Sequence, residues 1–141
     1  IFQTSRVMST TQVETCQRSS DELLILVHGT YAADASGEGD GWWQNGSVAS
    51  AELKNRLPDD IQLPEERKVF HWSGDNSERA RIKAGRALLA YLESLEEEGQ
   101  GYHLVGHSHG GSVIWHALQL AITQRKLNPK LRQYARKPLM R

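Results

Sequence analysis

His103-Leu104-Val105-Gly106-His107-Ser108-His109-Gly110-Gly111-Ser112-Val113 joins a short apolar run to a serine bracketed by glycines and then to a new apolar period. Tyr102-His103-Leu104-Val105 reads as a strand, and Gly110 to about Gln124 reads as a helix. Val113, Ile114, Ala117, Leu118 and Ala121 supply its packing face. A chain that turns from strand to helix within so few residues must pass close to its neighbours, so glycines are required two positions either side of Ser108, at Gly106 and Gly110, with Gly111 relaxing the packing further. The G-x-S-x-G pattern in a strand-to-helix context makes Ser108 the candidate nucleophile. A serine hydroxyl is a weak nucleophile at neutral pH and needs a partner base.

Working outward, Leu23-Leu24-Ile25-Leu26-Val27 is an unbroken apolar run stopped by His28-Gly29, the pattern of a strand buried on both faces. A long loop follows from Thr30 to Gly46, with Trp42-Trp43 near its end as packing residues or as lining for an acyl pocket. Ser47 opens a helix through Leu57, stopped by Pro58. Lys68-Val69-Phe70-His71-Trp72 reads as a further strand. Ser77 is the N-cap of a long helix with Ala84, Leu88, Leu92 and Leu95 on its apolar stripe. Strands alternating with helices predict an α/β fold, a parallel sheet in a three-layer α/β/α arrangement. The expected organisation is a loose polar leader over 1–20, a core over 21–125, and a basic tail over 126–141.

The 141 residues carry 17 Lys plus Arg against 17 Asp plus Glu, so there is no net charge to draw the chain to nucleic acid. The single cysteine, Cys16, excludes an internal disulfide and a cysteine-held zinc, which fits a reducing, cytoplasmic setting. No stretch approaches the roughly 20 apolar residues of a membrane span.

In an open parallel sheet, ligands meet the chain beyond the carboxyl ends of the strands. His28-Gly29-Thr30, Trp72-Ser73-Gly74 and Gly106-His107-Ser108 should therefore share one edge. The backbone N–H of His109, at a helix start, and that of Thr30 are the candidate donors to a developing oxyanion.

"LLILVHGTY", "VFHWSGDNSERAR" and "YHLVGHSHGGSVIWHAL" together resemble the α/β-hydrolase superfamily, in particular bacterial lipase- or esterase-like members, over roughly Leu23 to Ala121. The resemblance implies the central part of that fold with strands in the spatial order second, first, third. It also implies hydrolysis of a small-molecule or lipid ester through an acyl-serine, without a cofactor. The family's acid and histidine follow on later strands, and no position of this chain matches them, so impaired activity is the expectation.

Four histidines compete for other roles. His28 suits a structural hydrogen bond, His71 lies two strands from Ser108, and the turn sends His107 and His109 elsewhere. A metal held by the four would need a ligand spacing such as H-E-x-x-H, which is lacking, so no metal is expected. Asp34, Asp40 and Asp75 fit turn chemistry as readily as an auxiliary role. The glycine-rich turn lacks the lysine of a phosphate-binding loop. The alternative to an enzyme is a non-catalytic hydrolase-like binding or interaction module, with an exposed sheet edge open to self-association.

Overall fold

The computed structural model describes residues 21–32 and 37–124. The leader over 1–20 with Cys16, Asp34, and the tail over 126–141 lie outside the described residues. Strand β1 (Glu22–Val27), helix α1 (Val48–Arg56), strand β2 (Ile61–Gln62), a 3-10 turn (Glu66–Lys68), helix α2 (Glu78–Glu97), strand β3 (Tyr102–Gly106) and helix α3 (His109–Thr123) follow in order. The three strands form one parallel sheet in the order β2-β1-β3, an α/β architecture.

The central strand explains the sheet. Ile25 and Val27 are fully buried on one face against α2 and α3, in a cluster with Leu88, Leu92, Leu95, Val113 and Ala117. Leu24 and Leu26 are buried on the other face with Trp43 and Val69, and Leu53, Leu57 and Leu63 pack around them. Two-sided burial is why β1 shows no polar alternation in sequence. Each fully buried aliphatic side chain there contributes about 1.5–3 kcal/mol. The stripe expected on α2 is inward as read, Ala84, Leu88, Leu92 and Leu95 all being buried.

Two elements differ from the sequence reading. Lys68–Trp72 is not a strand: the 3-10 turn takes its start, and β2 forms earlier, where Glu22 pairs with Ile61 and Leu23 with Gln62. Side chains take up the backbone groups that a ladder would use. Tyr91 Oη donates to the Lys68 carbonyl at 2.7 Å, and the Trp72 N–H donates to His28 Nε2 at 3.1 Å. That same burial pushes the Tyr91 hydroxyl up to about 12, with Glu98 adding to the shift. The segment still alternates, Val69 facing one cluster and Phe70 and Trp72 the other, which is why it reads as a strand. The second difference is on α3. Val113, Ala117 and Ala121 are buried and Ile114 is partly so, but Leu118 is exposed, with Trp115 and Ile122 on the same flank. No helix among the described residues is long and apolar enough to cross a membrane.

Candidate functional site

Three helices begin at a serine, and the third behaves differently. Ser47 Oγ accepts from the Ser50 N–H and Ser77 Oγ accepts from the Ala80 N–H, both at 3.1 Å, the ordinary capping bond. Ser108 stands at the same position of α3 but makes no capping bond. Its backbone lies at φ 54°, ψ −127°, outside the left-handed helical well and in territory occupied mostly by glycine. Such a conformation costs about 1–3 kcal/mol and points to a functional constraint. Ser108 is exposed, and its Oγ has no hydrogen-bond partner among the described residues.

The flanking glycines are required by contact. A Cβ on Gly106 would fall 2.7 Å from the Gly111 nitrogen, and one on Gly110 would fall 2.1 Å from the Val27 carbonyl oxygen. Gly111 differs, since a Cβ there meets nothing within 4 Å, so it does not relieve packing as its sequence position suggests.

The turn after β1 presses against the serine. Strands β1 and β3 pair through Val27 and Gly106, and the His107 N–H extends the ladder to the Val27 carbonyl at 3.1 Å. A Cβ on Gly29 would lie 3.0 Å from the His107 carbonyl oxygen and 3.1 Å from Ser108 Cβ. Thr30 follows, and Thr30 Oγ1 and His109 Nδ1 are hydrogen-bonded at 3.3 Å. The chain gives neither the Thr30 N–H nor the His109 N–H an acceptor among the described residues. Their neighbours are engaged: Tyr31 N–H donates to the Gly74 carbonyl, and Gly110 N–H to that of His107, both at 2.9 Å. Two unpaired donors thus stand on the two turns that meet at Ser108.

His28 holds the first turn from beneath. It is 0 % exposed, with its Nδ1–H donating to the Gly29 carbonyl at 2.9 Å while Nε2 accepts from Trp72. Trp72 Nε1–H returns a bond to the His28 carbonyl at 2.9 Å, and the imidazole lies between Trp43 and Trp72, 4.4 Å and 5.6 Å between ring centroids. Burial lowers its pKa below the ordinary histidine value, and His71 adds a smaller push in the same direction. With both nitrogens engaged, His28 has none left for Ser108.

None of the other histidines bonds to Ser108 either. His71 is exposed and turned to the Val69 carbonyl, His107 packs edge-on against Trp42 at 5.8 Å, and His109 is turned to Thr30. His103 and His116 pair with Glu22 and Glu78. Among the described residues, no group of three or more His, Cys, Asp or Glu side chains is arranged to hold a metal ion. Asp75 serves its turn, its N–H donating to Ser73 Oγ at 3.3 Å and its carbonyl accepting from Ser77 at 2.8 Å.

The aromatic pair splits its roles. Trp43 is buried beside His28, and Trp42 lies against His107 at the turn. Sequence reasoning passed over Tyr31, an exposed aromatic next to Thr30 held at φ 62° with its hydroxyl accepting from Asn76 Nδ2 at 3.3 Å. Its N–H meets the carbonyl of Gly74, itself at positive φ, a pairing between distant turns that no local pattern marks. Comparison of the chain with protein families, with curated proteins and with solved structures gives no match.

Proposed function

We propose that the chain carries the nucleophile turn and the oxyanion turn of a serine hydrolase of the α/β-hydrolase type, acting on an ester. One observation carries the reading: Ser108 is held exposed at φ 54° on a turn packed against the one that carries Thr30, and among the described residues its hydroxyl and the N–H groups of Thr30 and His109 have no partner. Helices on both faces of the sheet would complete the three-layer arrangement of that fold. Ser108 Oγ attacks the ester carbonyl and gives up its proton to a base. The charge formed on the carbonyl oxygen is received by the N–H groups of Thr30 and His109 at the start of α3. Collapse expels the alcohol, which takes up the proton held by the base, and leaves an acyl-serine that water hydrolyses. No histidine among the described residues is bonded to Ser108, so turnover rests on a base placed outside them or proceeds slowly. The steps need no cofactor, the substrate is a small-molecule or lipid ester, and the lone Cys16 supports a reducing, cytoplasmic setting.

A fluorophosphonate probe tests this, because it phosphonylates an activated serine without needing the natural substrate. The purified protein is expected to be labelled, and Ser108→Ala to lose the label entirely. Absence of labelling, with an intact control hydrolase labelled in parallel, sinks the reading.

A second reading, a hydrolase-like interaction module, is favoured by the surface around β3. Among the described residues β3 pairs only with β1, leaving one edge of its backbone open. Val105 is 44 % exposed on the strand, and Trp115 and Ile122 are 60 % and 69 % exposed on α3. An open edge flanked by apolar side chains favours self-association. Light scattering is expected to show a mass that rises with concentration; a constant monomer mass over the accessible range removes this reading.

A further inference from the structure

The bond between Thr30 Oγ1 and His109 Nδ1 joins the side chains of the same two residues whose N–H groups stand unpaired beside Ser108. They are far apart in sequence and sit on separate turns, Thr30 after β1 and His109 at the first position of α3. Among the described residues nothing else ties these two side chains down: each makes this bond and no other. The two turns already meet at Gly29 and His107, and the first is held beneath by His28 and at Tyr31 by the Gly74 carbonyl. The hydrogen bond one residue further on ties the Thr30 turn directly to the start of α3. Resting on the serine-hydrolase reading, we infer that the His109 side chain is a positioning residue that clasps Thr30 and so sets the separation of the two oxyanion donors.

The chemistry of the pair makes the clasp durable. A neutral imidazole accepts from the threonine hydroxyl, and a protonated one donates to the hydroxyl oxygen, so the bond persists in either state. It also accounts for the His109 ring being engaged by the neighbouring turn rather than by Ser108. Preorganised donors lose much of their value when displaced by about 1 Å, so loss of the clasp lowers reactivity although both N–H groups remain in the chain.

The test is the rate of fluorophosphonate labelling of Ser108 in Thr30→Val, His109→Ala and the double variant, with His109→Asn as rescue because its amide reaches the place of Nδ1. Each single variant is expected to label about tenfold more slowly, the double variant no more slowly than the singles, and His109→Asn close to wild type. Hydrogen exchange of the Tyr31 amide, bonded to Gly74 in the same turn, is followed in each protein and is expected to quicken severalfold wherever the clasp is cut. Wild-type labelling rates in both single variants overturn the inference while leaving the serine-hydrolase reading intact, whatever the Tyr31 exchange does. Failure of the wild-type protein to label overturns both. A double variant slowed by the product of the single effects overturns the clasp, since the two side chains would then act independently.

Discussion

Gly110→Ala is expected to destabilise the protein by about 3 kcal/mol and to abolish labelling of Ser108, whereas Gly111→Ala, one residue further on, should stabilise it by up to about 1 kcal/mol. In a helix, replacing glycine by alanine normally helps, because the unfolded chain loses freedom and the helix gains a better former. At Gly111 nothing lies within 4 Å of the added methyl, so that ordinary gain is what remains. At Gly110 the methyl would lie 2.1 Å from the Val27 carbonyl oxygen and 2.8 Å from that of His28, both backbone atoms that cannot rotate away. To admit it, α3 must lift from the end of β1, which separates the two turns on which Ser108 and Thr30 stand. Urea unfolding of the two variants measures the difference. Equal shifts of the same sign would show that the helix start does not rest on β1.

His28→Ala is expected to cost about 3 kcal/mol at neutral pH, a large share of the stability of a domain this size. Truncation leaves a cavity between Trp43 and Trp72 and removes the acceptor of the buried Trp72 N–H, which alone is worth about 1–3 kcal/mol. Should the variant not fold, His28→Gln keeps an acceptor and serves the same comparison. The pH dependence follows from the lowered pKa of His28. Its folded value lies below the unfolded one of about 6.5, so between the two the unfolded chain binds a proton that the folded chain refuses. The contribution is therefore complete above about pH 6.5 and is lost as the pH falls toward the folded value, at up to about 1.4 kcal/mol per pH unit. Unfolding followed by circular dichroism between pH 5 and 8 should show this acid limb in the wild type and a flatter one in the variant. An unchanged limb would assign the acid sensitivity elsewhere.

The sheet and its helices were legible where sequence and packing speak the same language. The apolar run Leu23–Val27 is buried on both faces, Ser47 and Ser77 cap their helices, and the Ala84–Leu95 stripe of α2 faces inward. Lys68–Trp72 reads as a strand without being one, because side-chain alternation reports burial, while a strand depends on where backbone N–H and C=O groups bond. There they go to His28 and Tyr91, partners that no local pattern announces. Leu118 was assigned to the packing face of α3 because its spacing fits, but the inward arc is narrower, centred on Val113, Ala117 and Ala121. Of the site, G-x-S-x-G and H-G-T marked the two turns, since close backbone approach admits only glycine. The Thr30–His109 bond and the Tyr31 conformation were not legible, because both depend on how two distant turns meet.

Among the described residues, Tyr31 and Ser108 alone combine a side chain with a positive φ. One follows Thr30 and the other precedes His109, so the two side-chain-bearing residues at positive φ stand together on a single rim of the sheet. Strain held on a rim persists only while the packing beneath it holds. A change that softens that packing, at Val27, Trp72 or Val113 for instance, is expected to let the rim relax before the sheet itself comes apart. On the serine-hydrolase reading, labelling of Ser108 is then expected to fade first as the protein is warmed or mutated, with secondary structure still in place.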